Sequence, residues 1–173
     1  MGIKLLGIVL TLAASTGLGF WYGHRMTARL SLLRESRKYF LMLKNNIGFA
    51  GVPLPEAFSE LSERSEGVWQ AFFAELGTEL ASDEGLSFES IWTQVLKKHF
   101  RGRGLSEGDL KSLLQLGGNF GYLDKGMQIQ FIDLYLAGLD REITELADQL
   151  KEKTRLCRLL GIMGGLFIVI LFI

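Results

Sequence analysis

The sequence predicts an all-α protein in which a helical bundle lies between two apolar terminal helices. Three observations support this fold class. Apolar residues recur at three-four spacing through most of the chain, no stretch keeps the alternation of a strand, and the charges lie between two uncharged ends. The predicted parts are an N-terminal membrane helix at residues 1–24, a helical domain at 25–158 and a C-terminal membrane helix at 159–173.

The composition excludes several classes of function. Its 173 residues suit one folded domain, and 19 basic residues balance 19 acidic ones, so the chain lacks the basic excess of a nucleic-acid binder. One cysteine, Cys157, excludes an internal disulfide, and the histidines, His24 and His99, have no metal-ligand spacing around them. We therefore expect no nucleic-acid partner, no metal, no cofactor and no enzyme activity.

The N-terminal segment has the length and the boundary of a membrane helix. Residues 5–23 carry no charge and would measure about 28 Å as a helix, close to the hydrocarbon thickness. Trp21 and Tyr22, followed by Arg25, are typical of a membrane interface. A cleaved signal peptide is the alternative, but the apolar run continues past the small residues at 13–15, which favours an uncleaved anchor.

The C-terminal segment is shorter. Residues 159–173 are uncharged, follow Arg155 and Arg158, and would measure about 22 Å as a helix. Local thinning of the bilayer and extension of the Arg158 side chain toward the interface would let this segment span. A half-inserted or interfacial tail is the alternative.

Small residues recur at four-residue spacing in both terminal segments. Residues at this spacing lie on one face of a helix, and a face of small side chains lets helices approach closely in lipid. We therefore expect the two segments to pack on each other or on a partner. The alternative is that glycine is simply common in membrane helices. The predicted packing residues are Ser15, Gly19, Gly23, Gly161 and Gly165.

Flanking charges predict the orientation. Residues 25–44 hold six basic side chains against Glu35, and residues 151–158 add four more basic side chains. Because basic loops stay on the cytoplasmic side, the central domain is predicted to be cytoplasmic, with both termini across the membrane.

The first half of the central domain predicts four helices. The first continues out of the N-terminal segment until Asn45, Asn46 and Gly48, and a short helix follows Pro55 and ends at Arg64. Ser65 and Ser87 are candidate N-caps of two aromatic-rich helices. Their apolar residues are predicted to form a core and not a cofactor site.

The second half predicts two more helices. One begins at Ser106, where Asp109 stands at the third position after the cap, and reaches Leu116. A glycine-rich turn is predicted at 117–121. The last helix carries a strict three-four apolar line, which we call the seam and expect to face the first helix. The seam consists of Ile132, Leu136, Leu139, Ile143, Leu146 and Leu150.

Charge is segregated along the domain. Residues 45–95 hold nine acidic side chains against Arg64, whereas residues 97–111 hold five basic side chains against two acidic ones. Opposed surfaces of this kind could steer a partner, or they could be ordinary solvated helix faces. The sequence leaves both interpretations open.

Several blocks together resemble the stage III sporulation protein AB family of endospore-forming bacteria, over essentially the whole length. They are the start Ile3-Lys-Leu-Leu-Gly7, the turn Val52-Pro-Leu-Pro-Glu-Ala-Phe58, the block Phe120-Gly-Tyr-Leu-Asp124 and the apolar tail from Leu159. The chain departs from the family pattern at Phe120, where Leu is usual, and at 156–157, where Tyr or Trp is usual. The family-like turn comprises Gly117, Gly121, Asp124 and Gln128.

The resemblance implies a function that periodicity alone does not. The family is similar to the platform-protein domain of type II secretion and type IV pilus systems, a bundle of about six helices. It implies a non-catalytic platform in a complex that links mother cell and forespore and is needed for endospore formation. The implied location is the mother-cell membrane facing the forespore.

The implied partners are a secretion-type cytoplasmic ATPase, other membrane proteins of the sporulation channel complex and the lipid bilayer, with a homo-oligomer left open. The alternative function is a membrane-anchored signalling adaptor or receptor with a helical ligand-binding domain.

Overall fold

The computed structural model describes the backbone of residues 2–82, 85–120 and 124–172. Side chains are described at 24–49, 51–82, 85–118, 120, 124–153 and 155–156. The regular secondary structure of these residues is helical and includes no strand, which confirms the all-α prediction. The chain forms two compact units, residues 31–142 and residues 1–30 with 143–173.

The described backbone forms six α-helices, the number that the family resemblance implied. The first ends in a single π-helical turn, Asn46–Ala50. The helices are α1 at Gly2–Asn45, α2 at Leu54–Arg64, α3 at Gly67–Ala81, α4 at Phe88–Phe100, α5 at Glu107–Phe120 and α6 at Lys125–Phe172.

The junction between α1 and α2 follows the sequence prediction closely. The α-helix ends at Asn45, and Gly51 takes the left-handed conformation, with φ at 63°, where glycine carries no steric penalty. Pro55 lies in the first turn of α2, where its missing amide hydrogen costs nothing. Helix α2 begins at Leu54, slightly earlier than predicted.

Two of the three predicted helix starts have the expected caps. Ser87 Oγ accepts a hydrogen bond from the Ser90 amide at 3.3 Å. Ser106 and Asp109 cap reciprocally, each side chain accepting from the other backbone amide, at 3.1 and 2.8 Å.

The predicted cap at Ser65 is wrong. Gly67, whose φ is 60°, is the first residue of α3, so Glu66 holds the N-cap position and Ser65 stands one residue too early. The Ser65 hydroxyl instead donates to the Ser62 carbonyl at 3.3 Å, at the end of α2.

Aromatic side chains from five helices, α1 to α5, form the centre of the unit at 31–142. Their rings meet edge-on, tilted or stacked, with centroids as close as 4.5 Å between Trp69 and Phe100. The apolar residues predicted as core in α3 and α4 lie in this cluster or pack against it. The fully buried aromatic residues are Phe40, Phe58, Trp69, Phe72, Phe73, Trp92, Phe100 and Phe120.

The glycine-rich turn does not begin at Gly117, because α5 continues to Phe120. A Cβ on Gly117 would overlap the indole ring of Trp92, which lies directly over the helix backbone. The same ring donates from Nε1 to the Leu113 carbonyl at 2.9 Å. Gly117 therefore permits close packing of α4 on α5 and does not reverse the chain. Gly121 lies outside the described residues.

Within the unit at 31–142, α6 packs antiparallel to α1. Ion pairs join Arg37 to Asp140 and Lys44 to Asp133, the latter at 2.6 Å. The seam residues Ile132, Leu136 and Leu139 are buried, and so is the apolar line of α1. That line consists of Leu33, Ser36, Phe40, Leu43 and Ile47.

In the other unit, α1 and α6 also lie side by side. Met26, Leu30 and Leu146 are buried, and Lys153 Nζ lies 3.5 Å from Met26 Sδ. The remaining seam residues of this unit, Ile143 and Leu150, are half-buried.

The terminal segments stay predictions. In the part of the chain that the structure describes, no helix has a stretch long and apolar enough to cross a bilayer. The surroundings of the predicted packing residues lie outside the described side chains. Those residues are Ser15, Gly19, Gly23, Gly161 and Gly165.

Candidate functional site

The family-like turn has an identifiable role at the start of α6. The Asp124 carboxylate accepts a hydrogen bond from the Met127 amide at 2.8 Å, which caps the helix. The Gln128 side-chain amide donates to the Phe120 carbonyl at 3.3 Å, so α5 and α6 are tied across their connection. Asp124 and Gln128 thus both act at the connection between α5 and α6, whereas Gly117 lies within α5, against Trp92.

A polar cluster ties α3 to α4. Glu75 accepts hydrogen bonds from Lys98 Nζ and His99 Nε2, each at 2.8 Å. Partial burial opposes ionisation of the Glu75 carboxyl, but the bonds from Lys98 and His99 outweigh it, so its pKa lies below the ordinary value. The described residues contain no group of three or more ligand-type side chains that could hold a metal ion. The cluster therefore acts as an interhelix tie.

A second polar contact lies inside the α1–α6 interface. The hydroxyls of Ser36 and Tyr135 are hydrogen-bonded at 2.8 Å. Burial raises the pKa of Tyr135, and the nearby negative charge of Asp109 raises it further, so the phenol stays neutral. Sequence reasoning missed this pair, although Ser36 stood as a polar residue within the apolar line of α1.

A groove with a volume of about 530 Å³ separates α5 from α6. Leu33, Leu116 and Leu139 contribute to its apolar lining, and Leu134 stands at the groove with 70% of its surface exposed. The sequence analysis did not find this groove. Its trace in the sequence is a second three-four line on α6, next to the seam, formed by Phe131, Leu134, Tyr135 and Gly138.

The charge segregation survives on the folded surface. The acidic side chains of Glu56, Glu63 and Glu66 are exposed in and just after α2, and several basic side chains are exposed between the end of α4 and α5. The exposed basic residues there are Lys97, Lys98, Arg101, Arg103 and Lys111. Lys98 is partly neutralised by Glu75. Exposed side chains of both signs are therefore available to charged partners.

The fold is a helical bundle with an open groove on its surface. The chain belongs to the stage III sporulation protein AB family, whose model matches residues 4–173. This confirms the family that the sequence motifs indicated. The protein is accordingly a sporulation protein and a subunit of a sporulation complex.

The chain is similar to a relative and to a solved structure of the same description. Stage III sporulation protein AB of Bacillus subtilis (strain 168) is 26% identical over 170 residues, which is 98% of each chain. A solved structure of stage III sporulation protein AB (SpoIIIAB) superposes with a TM-score of 0.64 at 23% identity. It covers 72% of this chain and 97% of the solved one, and it shares the fold.

Proposed function

We propose that this protein is a non-catalytic, membrane-anchored platform subunit of a type II secretion-like complex between mother cell and forespore. The family match over residues 4–173 is the observation that carries the proposal. The uncharged segments at 5–23 and 159–173 support it, because each has the composition of a membrane helix.

The proposed mechanism is that the bundle presents docking surfaces while the terminal segments hold it at the mother-cell membrane facing the forespore. The two long helices, α1 and α6, contribute to both compact units of the chain. In the unit at 31–142 they are joined by the seam, by two ion pairs and by the Ser36–Tyr135 bond. Such packing would let the bundle act as one body when a partner binds.

The proposed partners are a secretion-type cytoplasmic ATPase and other membrane proteins of the complex. The exposed acidic side chains of α2 support a charged docking surface for one of them. Reversing the charge of Glu56 and Glu63 together should reduce co-purification of the ATPase from sporulating cells. The matched control reverses Lys97 and Lys111 on the basic surface. An equal effect of both pairs would argue against a specific acidic surface.

Topology is the decisive test of the membrane proposal. Cys157 is replaced by Ser, and a single cysteine is placed at Ser82, an exposed position at the end of α3. Intact cells are treated with a membrane-impermeant thiol reagent. We expect no labelling until the cells are permeabilised, because the bundle is proposed to be cytoplasmic.

A cysteine at Gly2 in the same background is the matched control, since the proposed topology places that end across the membrane. It should be labelled in intact cells. Labelling of Ser82→Cys in intact cells would reverse the topology and exclude contact with a cytoplasmic ATPase. Recovery of the protein with one soluble regulator and no membrane protein would instead favour a signalling adaptor.

A further inference from the structure

The groove between α5 and α6 has the dimensions of a helix-binding site. On α5 it is lined from Gly108 to Leu116, and on α6 from Phe131 to Glu142. At 1.5 Å per residue these walls measure about 12 and 16 Å. A groove of this length accepts two to three turns of another helix lying along α5 and α6.

The lining combines an apolar floor with small side chains. Leu134, 70% exposed, presents a large apolar surface to whatever enters. Gly108, Ser112 and Gly138 have small side chains or none, so they project little into the groove. A Cβ on Gly138 would meet no atom within 4 Å. A helix backbone can therefore approach closely and cover apolar surface that is otherwise left in water.

The charge of the groove selects its occupant. Asp109 and Glu142 are the charged side chains among the described lining residues, and both are acidic. Asp109 is buried and accepts the Ser106 amide hydrogen bond, so the half-buried Glu142 is the more accessible of the two. A second copy docking through the same face offers no basic side chain among the described lining residues, so it does not complement the charge of the groove. A helix that carries lysine or arginine beside its apolar face matches the groove in both respects.

We propose that the α5–α6 groove binds a basic amphipathic helix of a partner protein. Its apolar side chains at i, i+3 or i+4, and i+7 cover Leu134 and fill the space above Gly138. Its basic side chains lie at the end marked by Glu142. This interaction goes beyond the membrane platform role and uses a surface separate from the acidic side chains of α2.

The test uses the full chain in nanodiscs of neutral phosphatidylcholine and a fluorescent synthetic helical peptide. The peptide is about 15 residues long, with leucines at i, i+4 and i+7 and flanking lysines. We expect Gly138→Trp, which fills the groove, to weaken binding about tenfold or more, measured by fluorescence anisotropy. Ala137→Trp is the matched control, because it adds the same side chain at an exposed neighbouring position outside the groove. Its affinity should stay within about twofold of the original.

Charge is tested separately. Glu142→Gln should weaken binding about threefold at low salt, with a smaller effect at high salt because ions screen the attraction. A peptide with glutamates in place of the lysines should bind more weakly than the original. Equal binding of the two peptides would overturn the assignment of a basic partner.

Other outcomes are equally informative. No binding of the lysine peptide, or equal binding by Gly138→Trp, would overturn the groove as its site. Self-association of the full chain that is lost in Leu134→Asp would assign the groove to a second copy instead.

Should Gly138→Trp misfold by circular dichroism, Leu134→Asp at its exposed position serves in its place. Failure of the chain to insert into nanodiscs would count against the membrane proposal alone, since the peptide can then be titrated in buffer.

Discussion

The aromatic core at α2, α3 and α4 and the face shared by α5 and α6 stabilise the same bundle by different means. In the core, Phe58, Trp69 and Phe72 are fully buried and meet other rings on several sides. At the α5–α6 face, a groove stays open and Leu134 is largely exposed. Buried aromatic surface stabilises the free protein, whereas exposed apolar surface contributes only when a partner covers it.

The stabilising residues and the exposed rim of the groove are therefore largely separate, even where they lie on the same helix. Substitutions in the core or beneath the groove should lower the free energy of unfolding, while substitutions at the groove rim should leave it nearly unchanged. The four predictions that follow test this division, and each uses the full chain in detergent micelles unless stated otherwise.

The largest effect on the free energy of unfolding is expected on α6, where Ile132 is a core residue and Leu134 is a residue of the groove rim. Ile132 is fully buried, so Ile132→Asp should lower the free energy of unfolding by about 4 kcal/mol, because it buries a charge without a partner. Leu134→Asp should cost less than about 0.5 kcal/mol, since its side chain already faces water. Urea denaturation followed by circular dichroism measures both. Similar losses at the two positions would contradict the division.

The next effect concerns two adjacent glycines of α5. Gly117→Ala should cost about 3 kcal/mol, because the new methyl group overlaps the ring of Trp92 and forces α4 and α5 apart. At Gly118 the nearest atom to a new Cβ is Glu89 Oε1 at 3.7 Å, so Gly118→Ala should be neutral or stabilise by up to about 1 kcal/mol. Thermal unfolding of the pair gives the comparison. A Gly117→Ala protein as stable as Gly118→Ala would show that Trp92 moves aside easily.

Tyr135→Phe should have a moderate effect that depends on pH. At neutral pH, loss of its hydrogen bond with Ser36 should cost about 1 kcal/mol. The folded-state pKa of Tyr135 is raised above its ordinary value of about 10. Above that pH the unfolded chain therefore loses the phenol proton while the folded chain keeps it. Stability should fall by about 1.4 kcal/mol per pH unit relative to Tyr135→Phe.

The measurement is the difference in the free energy of unfolding between the original chain and Tyr135→Phe at pH 9 and pH 11. Other titrating groups are common to both proteins and largely cancel. The difference should shrink or change sign at the higher pH. A difference that does not depend on pH would mean that the phenol reaches solvent in the folded protein.

The smallest effect is expected for the ion pair between Lys44 and Asp133. Their atoms are 2.6 Å apart, but the side chains are 31% and 49% exposed, so water and salt weaken the attraction. A double-mutant cycle with Lys44→Ala and Asp133→Ala should give a coupling of about 0.5 kcal/mol that declines in high salt. A coupling above about 2 kcal/mol would show that the pair contributes as much as a buried contact.

Much of the fold was predictable because the relevant information is local. The apolar lines of α1, α3 and α4 place residues such as Phe40 and Phe72 at three-four spacing, and the structure buries them. The capping of α4 by Ser87 was predictable for the same reason, since cap and helix are neighbours in sequence. The Ser65 prediction failed because Gly67 has a positive φ and begins α3. The N-cap position therefore falls on Glu66 and not on Ser65.

The groove was less predictable than the core. Leu134 and Gly138 are close in sequence, but the opposite wall comes from α5, and the space between the walls depends on how the two helices pack. The family motif at Asp124 and Gln128 located the connection between these helices. Motif and periodicity therefore identified the elements around the groove without revealing the groove itself.

Composition and the spacing of residues along single helices fix the helical class, the buried lines and the segregation of charge, and short motif blocks spread along the chain indicate the family. Tertiary structure alone decided that Gly117 serves close packing against Trp92, that Ser36 bonds to Tyr135, and that α5 and α6 leave a groove. The physical reason is that these features join residues far apart in sequence, and their distances are fixed only when the helices pack.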